Sequence, residues 1–589
     1  RIDQFPSDVK EIMLTASVLG REFDKSVLLQ MVGNDQSVAQ KIKLLENALI
    51  WTEISLGKHL FRSNLLRETA YRMQVHTRRQ RLHAVATNAL EEVYAEDLKP
   101  HYYELAHHAE EGKLGQKACH YLTLAGETAS ENYQNNQAVD YFSRALLHTE
   151  PDDPETQIKL LLKREYVYNI MGKRQEQQAD LDQAEMLAEQ GQYLHQLADI
   201  AVKKISLSST TNEFEKVIAD SPAVMDFLEQ SQRPDLIISL NIAWAHVLRV
   251  LGEYDQARQR LLLNRTLAQE IGDLRGEGST LVNLGLVEMD QANFTQARAY
   301  HEDSLRIAQQ LNIPFLLAQS LNNLGVAASE QGDYSSAADY YQRSLEIAQR
   351  IGTRQGEAVL NTNLGWLAGI MGDYPASIEY LEKSYRIQRE IRHGYGEATA
   401  LFNLSLFTGA QGNFPLAKSY AEESIALVRE IQYRSGEAIG LTFLGHALTG
   451  LGDLPEAKAA YQDALELNEC MELSNLCCEP IAGLAQIGLL ESDLVAAEQS
   501  AKEILAHLEK GGTLERIDHP NFVRVVCYKV LAALADPGAG AFLEEMHASL
   551  QDQAERIQDE ALRRSFLNNV PWHQEILQYY QNYQNDLKG

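Results

Sequence analysis

The stretch SLNNLGVAASEQGDYSSAADYYQRSLEIAQRI, residues 320–351, recurs in outline at intervals of about 40 residues and is the strongest structural signal in the chain. Eight positions after Leu324, the first member of the Leu324-Gly325 pair, comes the turn Gly332-Asp333-Tyr334, and both features repeat. The leucine pair is matched at Leu284-Gly285, Leu364-Gly365, Leu404-Ser405 and Leu444-Gly445, and more weakly at Trp244-Ala245 and Leu484-Ala485. A repeat of this length indicates one supersecondary unit per copy, stacked on its neighbours.

One unit of this pattern has the chemistry of a helical hairpin. The leucine and the small residue beside it let a second helix approach closely, and the glycine with its acidic or amide neighbour ends the first helix. The aromatic residue of the turn then anchors the second helix, where a small residue follows three positions later, as at Ala337. Stacked hairpins share one core and wind into a superhelix with a concave and a convex face.

The order of these residues resembles that of the tetratricopeptide (TPR) family, whose usual repeat is about 34 residues. The longer variant is similar to the repeats of kinesin light chains and of bacterial peptide-sensing regulators, which bind partners in the groove. The sequence therefore predicts an all-α fold. We expect a right-handed α-solenoid of about 40-residue TPR-like helical hairpins, preceded by a small winged-helix domain and closed by a C-terminal helical cap.

The winged-helix domain is predicted at the start of the chain, over positions 1–75. Amphipathic patterns indicate helices over residues 7–19, 25–32 and 37–49, and the alternating segments 50–54 and 59–62 indicate a hairpin around Gly57. DNA binding by this domain is an alternative to a packing role. The third helix carries Lys41 and Lys43 but also Glu46, with no Arg or Asn series suited to base edges, so packing is favoured.

Three further segments carry a second resemblance. FRSNLLRETAY at residues 61–71 and RRQRLH at 78–83 resemble the segment that follows the nucleotide-binding domain in STAND-type signalling ATPases. RSFLNNVP at residues 564–571 resembles the end of the TPR arrays in the same family. Members of that family usually carry a histidine where Ser63 stands. The resemblance implies a nucleotide-binding domain upstream in the same chain and a regulatory role for the array.

The domain organisation follows from where the repeat pattern starts and stops. EPDDPE at residues 150–155 indicates a linker, and SLSSTTN at 206–212 indicates a loop inside a region where the phase is lost. The predicted divisions are a winged-helix-like domain at 1–75, a helical connector with a first TPR-like hairpin at 76–150, irregular TPR-like helices at 151–235, the regular array at 236–510 and the cap at 511–589.

Composition limits the classes of partner. The 589 residues carry a formal charge of −29, while residues 1–75 contain 10 Lys and Arg against 9 Asp and Glu, so the array is acidic. Nucleic-acid binding is therefore disfavoured, because phosphate neutralisation needs a basic surface. No apolar run suggests a membrane span, and five scattered cysteines fit a reducing compartment, so the sequence predicts a cytoplasmic protein.

The motifs of catalysis and of cofactor binding are missing from the sequence. It contains no Gly-x-x-x-x-Gly-Lys-Ser/Thr phosphate loop and no Gly-x-Ser-x-Gly elbow. Histidines at 101, 107 and 108 lack the spacing of a closed ligand set, so no metal site is predicted. We expect neither an enzyme nor a resident cofactor within this stretch, although an NTPase domain upstream is compatible with it.

The predicted partner site is the concave groove. The residue just before each leucine pair is expected to point into it and is an asparagine in four copies, namely Asn283, Asn323, Asn363 and Asn403. An amide both donates and accepts, so such a ladder suits the backbone of an extended peptide. At helical spacing from the ladder lies an apolar patch of Trp366, Ile370, Phe402 and Leu406. The alternative is that these asparagines bond neighbouring helices and the aromatic residues belong to the core.

Three functions are open on the sequence alone. The first is a sensor and regulatory module of a STAND-like signal-transduction ATPase that binds a protein or peptide in the groove. The second is a free-standing TPR scaffold. The third and weakest is a transcriptional regulator that uses the winged helix to bind DNA.

Overall fold

A computed structural model describes residues 2–33, 36–431, 433–470, 474–514 and 517–588. These residues form thirty α-helices and three short strands, and the chain divides into two compact units, residues 1–204 and 205–589. The all-α, TPR-like solenoid that the sequence predicts is confirmed. None of the helices in the described ranges combines the length and apolarity needed to span a bilayer. The finer divisions at residues 75, 150, 235 and 510 stay a prediction.

The first unit begins with helices around a small sheet. Its first elements are α1 (Ser7–Val18), β1 (Glu22–Asp24), α2 (Lys25–Val32), α3 (Gln36–Asn47), β2 (Trp51–Ser55), β3 (Lys58–Phe61) and α4 (Asn64–Arg72). The predicted hairpin is present as β2 and β3. The sequence pattern does not indicate β1, which pairs antiparallel with β3 at Phe23 and His59 and completes the order β1-β3-β2. Trp51 and Phe61 are fully buried on this sheet, so aromatic packing holds the strands together.

The rest of the first unit consists of antiparallel helices. They are α5 (His76–Val93), α6 (Tyr102–Glu111), α7 (Gly115–Glu131), α8 (Asn135–Leu147), α9 (Pro154–Met171), α10 (Arg174–Gly191) and α11 (Leu194–Thr210), which continues past the boundary at residue 204. The loop predicted at residues 206–212 is therefore wrong for 206–210. Nor are the helices of this region irregular, because α9 begins at Pro154 and α11 at Leu194, which is the spacing of the regular array.

The sequence missed this regularity because polar residues replace the repeat signature. Arg164-Glu165 occupies the positions that Leu324-Gly325 holds in the regular array. The Arg164 guanidinium donates to both carboxylate oxygens of Asp180 at 2.6 and 2.9 Å. The Glu165 carboxylate accepts from Gln177 at 2.8 Å and pairs with Lys203 at 2.6 Å. Ion pairs and hydrogen bonds thus join these helices where the leucine pair joins the others.

In the second unit the hairpins follow one another at a constant spacing. After α12 (Phe214–Gln230), the first helices begin at positions 234, 274, 314, 354, 394 and 434. The hairpins are α13 (Pro234–Val250) with α14 (Tyr254–Ile271), α15 (Leu274–Asp290) with α16 (Phe294–Gln310), α17 (Pro314–Glu330) with α18 (Tyr334–Ile351), α19 (Arg354–Ile370) with α20 (Tyr374–Glu390), α21 (Gly394–Ala410) with α22 (Phe414–Glu430), and α23 (Arg434–Leu451) with α24 (Leu454–Cys470).

The glycine of the leucine pair makes room for the second helix of its own hairpin. A Cβ atom at Gly285 would collide with the ring of His301, and one at Gly325 would collide with Tyr341. The first helices also contact one another from one hairpin to the next, whereas second helices make no comparable contact in the described part of the chain. The first helices therefore lie on the inner side of the curved array, as the repeat predicts.

The C-terminal helices extend the array and then turn back on it. They are α25 (Cys478–Leu490), α26 (Leu494–Glu509), α27 (Pro520–Ala533), α28 (Ala539–Glu555), α29 (Glu560–Asn569) and α30 (Pro571–Lys588). Met371 shares a buried cluster with Leu550 and Phe566, and the Asn569 amide donates to the Gly372 carbonyl at 3.3 Å. The cap thus packs on a hairpin turn that lies far earlier in the chain.

Candidate partner-binding groove

The exposed faces of the first helices form the groove of the second unit. On α17 this face carries Phe315, Gln319, Asn322, Val326 and Glu330, at the spacing of one side of a helix. Phe315 is 48% exposed. The faces of α15, α17 and α19 remain accessible, and we call them the open half of the groove. Those of α21, α23 and α25 are largely buried, and we call them the closed half.

Amide and hydroxyl side chains line the middle of the open half. The polar residues are Ser279, Asn283, Gln319, Asn322 and Asn363, whereas the hydroxyl of the half-buried Thr362 lies 2.8 Å from that of the buried Ser384 on α20. Beneath them Leu286, Val326 and Trp366 are half-buried and occupy equivalent repeat positions. The surface therefore combines uncharged hydrogen-bonding groups with an apolar floor. Such a surface matches a peptide backbone and its apolar side chains better than it matches a phosphate.

The four asparagines of the predicted ladder differ in their surroundings. Asn283 is half-buried and donates to the Ser279 carbonyl of its own helix at 2.9 Å. Asn323 is only 8% exposed and accepts a bond from Asn322 at 3.0 Å. Asn363 is half-buried and donates to the Asn322 side chain at 2.8 Å, so three amides connect α17 with α19.

Asn403, the fourth predicted rung, is half-buried on α21. The sequence pattern did not single out Asn322, which lies one residue before the predicted Asn323. Its side chain is hydrogen-bonded to those of both Asn323 and Asn363. The signal for it was the helical spacing from Phe315 and Gln319, which places residue 322 rather than 323 at the centre of the exposed face.

The predicted apolar patch divides into two half-buried and two buried residues. Trp366 and Ile370 are half-buried, and the Trp366 ring meets Phe407 edge to face at 5.6 Å between centroids. Phe402 and Leu406 are each 5% exposed and belong to one cluster with Phe443, against which Trp366 and Ile370 pack. Their burial favours support of Trp366 from beneath over direct contact with a partner.

The chain itself fills the closed half. Residues 517–522 lie against the inner faces of α23 and α25. The His519 ring is 6.4 Å from that of Phe443, and the Phe522 ring meets His446 edge to face at 4.9 Å. Trp572 covers Phe522 at 4.8 Å. These inner faces therefore contact the chain's own side chains, whereas Leu286, Val326 and Trp366 leave the floor of the open half partly accessible.

Three titratable side chains meet inside the closed half. Glu479, on the first turn of α25, accepts hydrogen bonds through Oε1 from His446 Nε2 at 3.0 Å and from His519 Nδ1 at 2.9 Å. The Glu479 side chain is 5% exposed. The donor atoms of all three side chains lie within 4.8 Å of one another. Among the described residues, no other group of three or more His, Cys, Asp or Glu side chains meets this distance.

Burial and neighbouring charges shift the pKa values in this cluster in opposite directions. Burial by itself would raise the pKa of Glu479, but the bonds from both histidines outweigh it and hold that pKa well below its ordinary value. Burial lowers the pKa of His446 despite its bond to Glu479. Asp518 lines a small cavity with Glu479, and burial together with the Glu479 charge raises its pKa.

No short-range pattern reveals this cluster, because Glu479 is 33 positions from His446 and 40 positions from His519 in the sequence. His446 occupies the repeat position that is apolar in three preceding hairpins, at Val326, Trp366 and Leu406. A histidine in place of an apolar residue was the one sequence signal that pointed to this cluster. The histidines near residue 101 are used differently. His108 is buried and lies 2.8 Å from His83 between Nδ1 atoms, while His101 stacks on Tyr94 at 3.6 Å.

Comparison with known proteins agrees with this architecture. A family model described as tetratricopeptide repeat matches residues 235–310, 276–350 and 316–390, and a second model with the same description matches residues 440–469. The second unit therefore contains TPR repeats, and the fold is that of a TPR protein-interaction module. No curated protein sequence matches the chain.

Among solved structures, the chain is similar to a signal transduction ATPase with numerous domains (STAND) from Pyrococcus horikoshii that has a TPR sensor. Identity is 14% and the TM-score is 0.41, over 81% of this chain and 65% of that one, so the chain spans less than two thirds of that protein. The apo form of the quorum sensor NprR from B. thuringiensis is 15% identical with a TM-score of 0.42, and the match covers 61% of this chain and 98% of that one. A chain of the APC/C hetero-tetramer Cut9-Hcn1 is 14% identical with a TM-score of 0.47, and the match covers 88% of this chain and 98% of that one.

Proposed function

We propose that the open half of the groove binds an extended peptide, or an extended segment of a protein, and that this binding is the sensing step of a regulatory module. The observation that carries the proposal is the surface of α15, α17 and α19, where uncharged amides and hydroxyls surround an accessible apolar floor. A peptide backbone offers a donor and an acceptor at nearly every residue, and the amides pair with both.

Each part of the surface has its own role in the proposed complex. Asn283, Asn323 and Asn363 hold the peptide backbone, directly or through Asn322, and the half-buried Asn403 of α21 adds a contact where the open half ends. Each such bond contributes about 0.5–1.5 kcal/mol net, which is too little for selective binding. Trp366 and Ile370 supply the anchor by taking up an apolar side chain of the peptide, because half-exposed aromatic residues over a packed base dominate binding energies at interfaces. Phe402 and Leu406 form that base.

The test uses the full chain and a random-peptide display library, because the natural ligand is not identified. A peptide selected on the wild-type protein is titrated against Trp366→Ala, against the double variant Asn323→Ala with Asn363→Ala, and against Leu263→Ala. Leu263 is the matched control, since it is an apolar residue 66% exposed on α14, a second helix. Circular dichroism establishes that each variant is folded.

We expect Trp366→Ala to weaken binding roughly 30-fold or more, as for a central anchor. The double asparagine variant should lose about 1–3 kcal/mol of binding free energy, and Leu263→Ala should bind like the wild type. Equal affinity of the selected peptide for all four proteins contradicts the placement of the site in the groove.

We further propose that the module regulates a STAND-like ATPase. The support is the resemblance of residues 61–71 and 78–83 to the segment that follows the nucleotide-binding domain in that family, and of residues 564–571 to the end of its TPR arrays. The competing function is a free-standing scaffold. The reading frame that encodes residues before Arg1 separates them: a phosphate-loop motif there supports the ATPase, whereas a start codon immediately before Arg1 contradicts it.

A further inference from the structure

We propose that His446, Glu479 and His519 form a binding site for one divalent transition-metal ion of the zinc class. The two imidazole nitrogens lie 3.0 and 2.9 Å from the same carboxylate oxygen, and all three donor atoms lie within 4.8 Å of one another. The site needs no residue of the proposed peptide surface, so either proposal can fail without the other.

The donor set defines the class of ion. Two imidazoles and one carboxylate match the ligands of Zn²⁺, Co²⁺ and Ni²⁺, whereas Mg²⁺ and Ca²⁺ prefer sites built from oxygen alone. Donors at about 2.0–2.1 Å from a tetrahedral ion are about 3.3 Å apart. The distances of 2.9 and 3.0 Å therefore need to open by only a few tenths of an ångström, while the two imidazole nitrogens, which lie within 4.8 Å of each other, need to settle at the same spacing.

A second layer of side chains holds the His446 ring in place. Its Nδ1 atom lies 2.8 Å from the hydroxyl of Tyr461, a fully buried residue of α24. When Nδ1–H donates to that hydroxyl, Nε2 carries the lone pair that a metal requires. A Cβ atom at Gly445 or Gly483 would collide with the Tyr461 ring, so both glycines are needed for the ring to reach His446.

The surroundings favour a cation. Phe443, Phe522 and Trp572 shield the cluster from water and so strengthen electrostatic interactions within it. Glu479 and Asp518 line the same small cavity, which places two carboxylates in a poorly solvated space. In the described residues, the buried Asn468 Oδ1 atom on that cavity has no hydrogen-bond partner. One divalent ion offsets the negative charge of both carboxylates.

The position of the ligands gives the ion a structural role. His446 comes from α23, Glu479 from α25 and His519 from the segment just before α27. A bound ion therefore fastens residues 517–519 to two first helices of the array and keeps the closed half of the groove shut. Its binding free energy adds to the stability of the C-terminal helices, because the site exists only when they are docked.

The test uses the untagged full chain after treatment with a chelator. Isothermal titration calorimetry with Zn²⁺ and visible absorption with Co²⁺ measure affinity, stoichiometry and ligand type. The variants are His519→Ala, Glu479→Gln, which retains a neutral hydrogen-bonding group of similar size, and Tyr461→Phe. His120→Ala is the control, because His120 is an exposed histidine of α7.

We expect one ion per wild-type chain and a thermal midpoint that rises when Zn²⁺ is added. Tyr461→Phe should lower affinity about 10–100-fold, as the loss of an orienting partner does, and His519→Ala should lower it further. Glu479→Gln should also lose the ion, and its melting curve without metal shows whether the fold is intact. His120→Ala should match the wild type.

Two results would overturn the proposal. One is the absence of a saturable single site in the wild type, or the same affinity in Glu479→Gln and His519→Ala as in the wild type. The other is the intense near-ultraviolet band of Co²⁺ bound to thiolate, which would assign the ion to the buried cysteines Cys477, Cys478 and Cys527 instead.

Discussion

The open and closed halves of the groove are built from the same repeat positions and end in opposite environments. Asn322 on α17 and Thr362 on α19 are half-buried in the open half, whereas Phe402 and Thr442 at the same position of α21 and α23 are buried, as is Val282 on α15. The spacing at which the first helices begin is unchanged between the two halves. Large apolar side chains have entered the inner face in the closed half, and residues 517–522 pack against α23 and α25.

The comparison shows that the inner face of one array is accessible over some first helices and covered over others. On α15, α17 and α19 the face stays accessible, and it is there that we propose the partner binds. On α23 and α25 the chain's own C-terminal segment covers the face, and the burial of Phe443 and Phe522 there is favourable because exposed apolar surface is unfavourable in water. Three sets of substitutions test this difference, in order of decreasing expected effect.

The largest effect is expected where the C-terminal segment meets the closed half. Phe522 is 1% exposed and packs between His446 and Trp572. Phe522→Ala removes an aromatic ring from a buried site and should lower the free energy of unfolding by about 3–5 kcal/mol. The measurement is urea unfolding followed by circular dichroism, with attention to the transition of the C-terminal helices, since repeat arrays can unfold in parts.

The matched control for this change lies in the open half. Phe315 is an inner-face phenylalanine that is 48% exposed, so Phe315→Ala should change stability by no more than about 0.5 kcal/mol. Equal losses from the two substitutions would show that the halves do not differ in packing as described.

A second pair of substitutions tests the return of the cap to the array. Gly372 and Gly412 occupy the same turn position and have φ angles of +78° and +89°, so alanine at either site is strained by roughly 1–2 kcal/mol. At Gly372 a Cβ atom would also lie 2.8 Å from Cβ of Asn569, while at Gly412 nothing lies within 4 Å. Gly372→Ala should therefore destabilise the protein by about 1–3 kcal/mol more than Gly412→Ala does.

Thermal and urea unfolding of the two glycine variants side by side measures this difference. Indistinguishable stabilities of Gly372→Ala and Gly412→Ala would mean that α29 does not rest on this turn in solution.

The smallest effect concerns acid stability. His301 in the open half occupies the repeat position of Tyr461 in the closed half and packs on Gly285 as Tyr461 packs on Gly445. Burial lowers the pKa of His301 to about 4, and neither ring nitrogen has a partner in the described residues. Between pH 6.5 and 4 the unfolded state therefore binds the proton more readily, so stability falls as the pH is lowered through this window.

The variant His301→Phe removes that titration, and the tyrosine at the equivalent position 341 shows that a six-membered ring fits. When the pH is lowered from 7 to 5, the free energy of unfolding should fall in both proteins, and the fall should be about 1–2 kcal/mol larger in the wild type than in the variant. Parallel pH profiles for the two proteins, measured by denaturant unfolding, would contradict the assignment. Comparing the two proteins cancels the contributions of the other buried histidines.

Particular residues show how far sequence reasoning reached. The leucine pairs and the Gly-Asp-Tyr turns located the regular hairpins, because these residues perform the local steps of ending one helix and starting the next. The same reasoning predicted only irregular hairpins near Arg164-Glu165 and missed their regular spacing, because ion pairs carry the contact there. It also selected Asn323 and overlooked Asn322, since a repeat alignment marks equivalent positions without showing which one faces outward.

The period of the repeat alone established the helical hairpins, their order and the location of the inner face. These features depend on contacts within one hairpin or between neighbours, and such contacts leave a periodic pattern. Which part of the inner face stays open was settled by folding over a longer range. Residues 517–522 and the turn at Gly372 meet segments that are distant in the sequence, and no local pattern predicts such contacts. For the same reason His446, Glu479 and His519 come together only when the C-terminal segment packs against α23 and α25.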